Sequence, residues 1–331
     1  MRDSLTQTWA RWILKHFGKD PFGPFLQLGR SLLATGTFLT LTFNPAETLF
    51  HSASPSGSIA VQCSRQAAIG AFCLVPTESL DVVRLVLAAA CIPAIIGLFP
   101  FVSSTFHLFA AFSLSNNAIG IEGGDQLTVN LTFLLALASF GDRRMWGWVE
   151  RRAHGTHLKF IPSNVLLWTI TIQVAFVYLE AGLVKSKEAI WAEGSALWYW
   201  VQNSAFGISR EFSHTLMSAL SPPLMSAAAT WGTIVLEISI AVIFLFAKNQ
   251  KLRQTAIFLG ILFHLAIALI MGLVTFFFAM AGALFLGGFR PRDGYPLGWF
   301  RRLRKTGPSS SKPSLETRSP RLNSFPSHYA S

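Results

Sequence analysis

Charge is what this sequence has least of. Only 13% of its 331 residues are Asp, Glu, Lys or Arg, where an ordinary soluble domain carries about 25%. With 51% hydrophobic residues, that scarcity excludes a normal soluble globule. Cysteine is scarce as well. Cys63, Cys73 and Cys91 include no pair at metal-ligand spacing, so no metal site is expected. Cys91 lies in an apolar segment and reads as a small core residue. Cys63 and Cys73 share one loop, where a disulfide can form if that loop faces an oxidising exterior. The first residues lack the short apolar core and small-residue cleavage site of a signal peptide. LTQTWARWILKHFG, residues 5–18, reads instead as an amphipathic helix lying in a membrane interface.

Long apolar runs fill the space that charge leaves. Stretches of about 18 or more apolar residues mark membrane-crossing helices. Such runs read as spans over 25–43, 81–101 (interrupted by Pro93), 103–120, 127–140, 161–184, 224–246, 255–271 and 274–289. Pro93 is a kink that a packed membrane helix tolerates. The expected fold is all-α, a polytopic membrane helical bundle of about eight transmembrane helices with both termini cytoplasmic. Three regions follow: an interfacial N-terminus over 1–23, a membrane domain over 24–290, and a basic, Ser/Pro-rich tail over 291–331 expected to be disordered. Of the 27 Lys and Arg, 21 then fall in inside segments and only Arg65, Lys185, Lys187 and Arg210 outside, as the positive-inside rule requires. In a soluble protein the net charge of +11 would point to nucleic acid. Here it reads as orientation charge and attraction to anionic lipid, so the bilayer is the expected partner and nucleic acid is not.

Polar side chains inside those spans are the candidate functional residues. An ionisable group in mid-membrane costs about 2.5–3.5 kcal/mol on insertion scales, and Arg30, His107, Glu180, Glu237 and His264 are so placed. Glu237 needs protonation or a cation such as Arg30 or His264. His107, Ser113, Ser115, Asn116 and Asn117 crowd one span, which implies either a polar cavity or tight polar packing. Asp125 follows paired glycines at the edge of the next span. The stretch from Tyr178 to Trp200 crosses from apolar to charged to aromatic. Tyr178, Gly182 and Lys185 fall on one helical face; Gly182 leaves room for a neighbouring helix or a ligand. Burial of Lys185 among apolar groups would leave a neutral amine able to take a proton, whereas a snorkelling lysine would only anchor the helix end.

Several motifs in order carry a resemblance. GRSLLATGTFLTLTF, HLFAAFSLSNN with GGDQ, DRRMWGW, AGLVKSKEAIWAEGSALWYWVQNSAFG, WGTIVLEISIA and FHLAIALIMGLVTFFFAMAGAL together resemble the sporulation-delaying protein B (SdpB) family. That family is similar to the wider HTTM group of membrane domains related to the vitamin K-dependent gamma-carboxylase. The resemblance covers roughly residues 25–290. It implies a multi-pass protein of the bacterial plasma (inner) membrane that works with a small SdpA-like partner to mature an exported peptide toxin from a secreted precursor. The carboxylase group's A-G-hydrophobic-K-K and W-x-E-G pattern maps onto Ala181, Gly182, Lys185, Trp191, Glu193 and Gly194. In that group the lysine is a base toward vitamin K hydroquinone, which makes Lys185 the candidate base and a quinone the candidate cofactor. Gly182 and Trp191 are one residue further apart here, which leaves Lys187 as the alternative. On these readings the candidate catalytic residues are Lys185, His107, His264, Glu193 and Asp125. Tyr178, Gly182, Trp198 and Glu237 are the candidate cofactor-binding residues. A non-enzymatic membrane partner, in which the polar groups only join helices, is the competing class.

Overall fold

The chain was analysed as a computed structural model that describes residues 2–50, 59–119, 121–149, 156–203 and 210–288. The expected tail over 291–331 lies outside the described residues. Every extended element among the described residues is helical. The N-terminal helix α1 (Arg2–Phe17) carries exposed Trp9, Trp12 and Ile13. Next come α2 (Pro24–Phe43), a single turn α3 (Ala46–Leu49), α4 (Leu80–Ile96), α5 (Pro100–Asn117) and α6 (Gly123–Ala138). The long α7 (Ile161–Lys187) leads into the short α8 (Ala189–Ala192) and α9 (Ala196–Val201). After α10 (Arg210–Leu220) the chain closes with α11 (Pro223–Phe246), α12 (Gln250–Met271) and α13 (Val274–Gly288).

Four segments are long and apolar enough to cross a membrane: Thr77–Ile96, Leu158–Lys187, Pro223–Phe246 and Gln250–Met271. The other four expected spans fall short for readable reasons. The helices α6 and α13 have 16 and 15 residues, and α2 and α5 give up apolar positions to buried Gln27, Arg30, Ser103, His107 and Asn117. Those polar groups face inward. Outward, α4, α5, α7 and α12 present Val82, Leu85, Phe106, Phe109, Ile172, Phe176, Leu265 and Leu269, all exposed. A continuous apolar exterior with polar groups inside suits hydrocarbon, not water.

Hydrogen bonds at helix ends give the order of the bundle. On one side Arg84 of α4 donates to Leu41 O and Thr42 O at the end of α2. There too Thr275 at the start of α13 meets Glu122 before α6, and Leu197 N donates to Thr230 near the start of α11. On the opposite side Gln27 donates to Ala94 O, Ser163 to Ala138 O, and Arg253 to Gly288 O and Phe244 O. Successive long helices therefore run antiparallel. Close packing of α2 on α13 depends on glycine. A Cβ on Gly29 would lie 2.6 Å from Leu286 Cγ, and one on Gly282 would lie 2.9 Å from Leu33, so neither position accepts a larger residue without the helices parting.

Two apolar clusters fill the interior. One joins Leu33, Leu131, Val174, Tyr178, Ile240, Phe244 and Leu284; the other joins Leu41, Phe50, Phe72, Leu87, Cys91 and Leu114. Cys91 is buried in the second, as its apolar setting implied. The loop over 59–79 lies against that cluster. It is closed by a Cys63–Cys73 disulfide and pinned by Asn117, whose Nδ2 donates to Gln62 O and Ala67 O.

Candidate functional site

The last two turns of α7 hold the candidate lysine. Its amine meets Glu237, which lies more than halfway along α11. The reason is that α11 continues past the end of α7, and the segment 189–201 folds beside its first turns. Ser226 donates to Gly194 O and Trp231 Nε1 to Ala192 O. Gly194 makes this reversal possible: its φ of +78° is in the left-handed region, and a Cβ there would strike Ala227 at 2.8 Å.

Lys185 Nζ donates to both Glu237 oxygens, Oε1 at 2.8 Å and Oε2 at 2.9 Å. The lysine side chain retains 26% of its accessible surface and the carboxylate 6%. The amine also lies 5.5 Å from the centre of the Trp191 ring, within cation–π range. The expected partners of Glu237, Arg30 and His264, are thus replaced by Lys185, because α7 packs directly on α11. Gly182 brings the two helices together, since a Cβ there would lie 2.7 Å from Ile238 Cγ1. Lys185 is therefore not alone in the site; it is paired with Glu237.

Beneath that pair is a cavity of about 360 Å³, within the ordinary range for a small-ligand site. Lys185, Glu237, Trp191 and Trp200 line it together with apolar Leu127, Val177, Phe263, Phe276 and Met280. His264 reaches it from α12. Tyr178 Oη and His264 Nε2 are 2.8 Å apart, while His264 Nδ1 is buried without a hydrogen-bond partner among the described residues. The arrangement holds two polar pairs, an ion pair and a phenol–imidazole pair, against one apolar chamber. Such a chamber can hold an apolar molecule or segment while offering it proton donors and acceptors.

The remaining candidates fall elsewhere. Asp125 caps α6: its Oδ2 accepts from Glu122 N, and the Glu122 side chain accepts from the Asp125 backbone. It adjoins the rim through Gly123 but is not a wall residue. Burial pushes the Glu122 carboxyl above its ordinary range, opposed by the hydrogen bond from Thr275. Glu193 and Lys187 are exposed, and Trp198 is half-buried outside the lining. Glu180 is exposed on the outer face of α7. His107 belongs to a separate cluster, bonded to Thr37 at 3.0 Å and near Arg30, which donates to Pro100 O and Ser104 Oγ. The polar residues of α5 therefore pack tightly with α2 and the 59–79 loop instead of lining one wet chamber with Lys185. Among the lining residues, the sequence pointed to Trp191 only through the W-x-E-G pattern and did not single out Thr233, Phe276 or Met280. The spacing of these last three carries no signal until helix neighbours are known.

Comparison with known proteins finds relatives that align over most of this chain. The chain is 29% identical over 272 residues to the sporulation-delaying protein SdpB of Bacillus subtilis strain 168, covering 81% of each chain. It is 28% identical over 289 residues to the uncharacterized protein YitO of the same organism, 86% of this chain and 90% of that one. No family model and no solved structure matches. The chain is thus distantly similar to SdpB over most of its length, and four of its helical segments are apolar and long enough to cross a membrane.

Proposed function

We propose that this chain is a multi-pass protein of a bacterial plasma membrane that serves the maturation of an exported peptide toxin, using the pocket around Lys185 on the outer side. In this reading all eight long helices cross the bilayer, both chain ends are cytoplasmic, and α1 rests in the interface. Three things support it. The likeness to SdpB spans most of both chains, the Lys and Arg residues divide as the positive-inside rule requires, and a Lys185–Glu237 pair faces an apolar cavity. The last of these carries the reading, because a functionless lysine there has no need of a chamber. Lys185 would position or protonate the peptide, and His264 with Tyr178 would exchange protons at the cavity floor.

The test is expression of Lys185→Met beside the secreted precursor, with released peptide measured by mass spectrometry. Loss of about 99% or more of mature peptide per protein present in the membrane is expected, on the order of the 10²-fold or greater contribution of a positioned proton-transfer group. Full maturation by the variant would sink the proposal. A second reading is a quinone-dependent, carboxylase-like enzyme, favoured by apolar walls that run from Lys185 to His264. It is separated in the same assay, since only it requires maturation to stop in quinone-depleted cells.

Orientation has its own test. With the Cys63–Cys73 loop outside, a membrane-impermeant thiol reagent applied to intact cells should label the protein only after reduction. Labelling that requires permeabilised cells would reverse the topology.

A further inference from the structure

His264 has a hydrogen-bonding atom that the fold leaves over. The residue is buried on α12 at 3% exposure and lines the chamber. Its Nε2 lies 2.8 Å from Tyr178 Oη, whereas Nδ1 has no partner among the described residues. The Tyr178 hydroxyl makes no second hydrogen bond among those residues. Its proton is therefore assigned to Nε2, which puts the single N–H of a neutral imidazole on Nδ1. A buried donor of that kind calls for an acceptor. Water would need two to four polar partners there, but the imidazole is flanked by Phe263 and Phe276, with ring centres 5.0 and 5.4 Å away.

The other polar side chains of the lining are already paired. Both Glu237 oxygens accept from Lys185, and Thr233 donates to Ala229 O at 3.1 Å. The two ionic charges cancel, so a charged guest would bring a charge that no free group of the chamber balances. A stretch of main chain is a poor guest too. Each further N–H and C=O would need a partner, and Leu127, Val177, Phe276 and Met280 supply none. What fits is uncharged and mostly hydrocarbon, with one acceptor oxygen. The lining follows α7 over the seven residues from Tyr178 to Lys185, about 10 Å along the helix axis, a length that suits a chain better than a compact ring system.

We propose that the chamber binds one uncharged monoacyl ester lipid, its carbonyl oxygen accepting from His264 Nδ1 and its hydrocarbon chain lying along the apolar walls toward Lys185. The volume of about 360 Å³ is near the lower end of small-ligand sites and suits one chain, not two. Exposed Ile172, Phe176, Leu265 and Leu269 on α7 and α12 put hydrocarbon, and so the acyl esters of a bilayer, next to the site. The inference goes beyond the maturation reading and is independent of it, because it concerns what fills the chamber and not the chemistry at Lys185.

The experiment uses the purified full chain in detergent and the monoglyceride of dibromostearic acid, whose bromines quench tryptophan on contact; Trp191 and Trp200 line the site. Saturable quenching is expected, with an affinity about tenfold above that of dibromooctadecane, which lacks the oxygen, as one well-made hydrogen bond allows. Ionised dibromostearate and brominated oleylamine should bind at least tenfold more weakly than the ester. His264→Phe keeps a ring and removes the donor, and should reduce the preference for ester over hydrocarbon to less than twofold. If that variant does not accumulate, the ratio of ester to hydrocarbon affinity in the unaltered protein decides. Equal affinity for the two, full ester preference in His264→Phe, or displacement of the probe by menaquinone or by the precursor peptide at lower concentration than by monoolein overturns the proposal. No processing of precursor is measured, so its failure leaves the maturation reading standing, and the reverse holds too.

Discussion

Replacing Glu237 with alanine should harm the protein more than removing both members of its ion pair. The single change leaves the Lys185 ammonium against Trp191 and an apolar cavity with no counter-charge. Breaking a fully buried pair costs about 3–5 kcal/mol, and an exposed one contributes under about 1 kcal/mol. Lys185 retains 26% of its surface, so the expected loss is intermediate, about 2 kcal/mol. Lys185→Met with Glu237→Leu removes both charges and fills the space, and should regain wild-type membrane levels and most of the lost Tm. Maturation should remain abolished in both variants. Stability and activity thus separate. A double variant whose Tm loss equals the sum of the two single losses would show that the charges do not interact. A double variant that still matures peptide would remove the pair from the function.

That contrast marks how far the sequence is readable. The helical class, the order of the long helices and the shared face of Tyr178 and Lys185 follow from apolar run length and a period of 3.6 residues, both local properties. Pro93 is accommodated inside α4. The partner of Glu237 did not follow, because pairing between helices is set by which faces touch. Only Gly182, a small residue on the Lys185 face, hinted that α11 would come close. The surroundings of Lys185 were hidden for a related reason. Length alone cannot show that α11 outruns α7 and that 189–201 folds back beside it. His107 was grouped with the Lys185 region on polarity, yet its nearest polar partner is Thr37 of α2. Polarity says that a partner exists and not which helix supplies it.

Arg253 is the sharpest case of a residue whose sequence reading and structural role differ, and it gives the second large expected effect. In the sequence it is one of three basic residues in a short loop and counts toward orientation. In the fold it is fully buried at 0% exposure. Its Nε donates to Gly288 O at 2.8 Å, Nη2 to Gly287 O at 3.0 Å and Nη1 to Phe244 O at 2.8 Å. One planar fork therefore satisfies the closing carbonyls of both α11 and α13. Helix C-termini leave such carbonyls without intrahelical donors and carry partial negative charge, so a cation there is doubly favourable. Arg253→Ala orphans several buried acceptors at about 1–3 kcal/mol each, for an expected total of about 3–5 kcal/mol. That corresponds to a fall in Tm of roughly 10 °C, taking about 2–4 °C per kcal/mol for a domain of this size. Arg253→Lys keeps the charge but lacks the fork, and should recover less than half of the loss. Thermal unfolding of the three purified proteins checks this. A lysine variant as stable as the parent would mean that charge alone holds the two helix ends, and an alanine variant within about 1 kcal/mol of it would mean that the clamp contributes little to the fold.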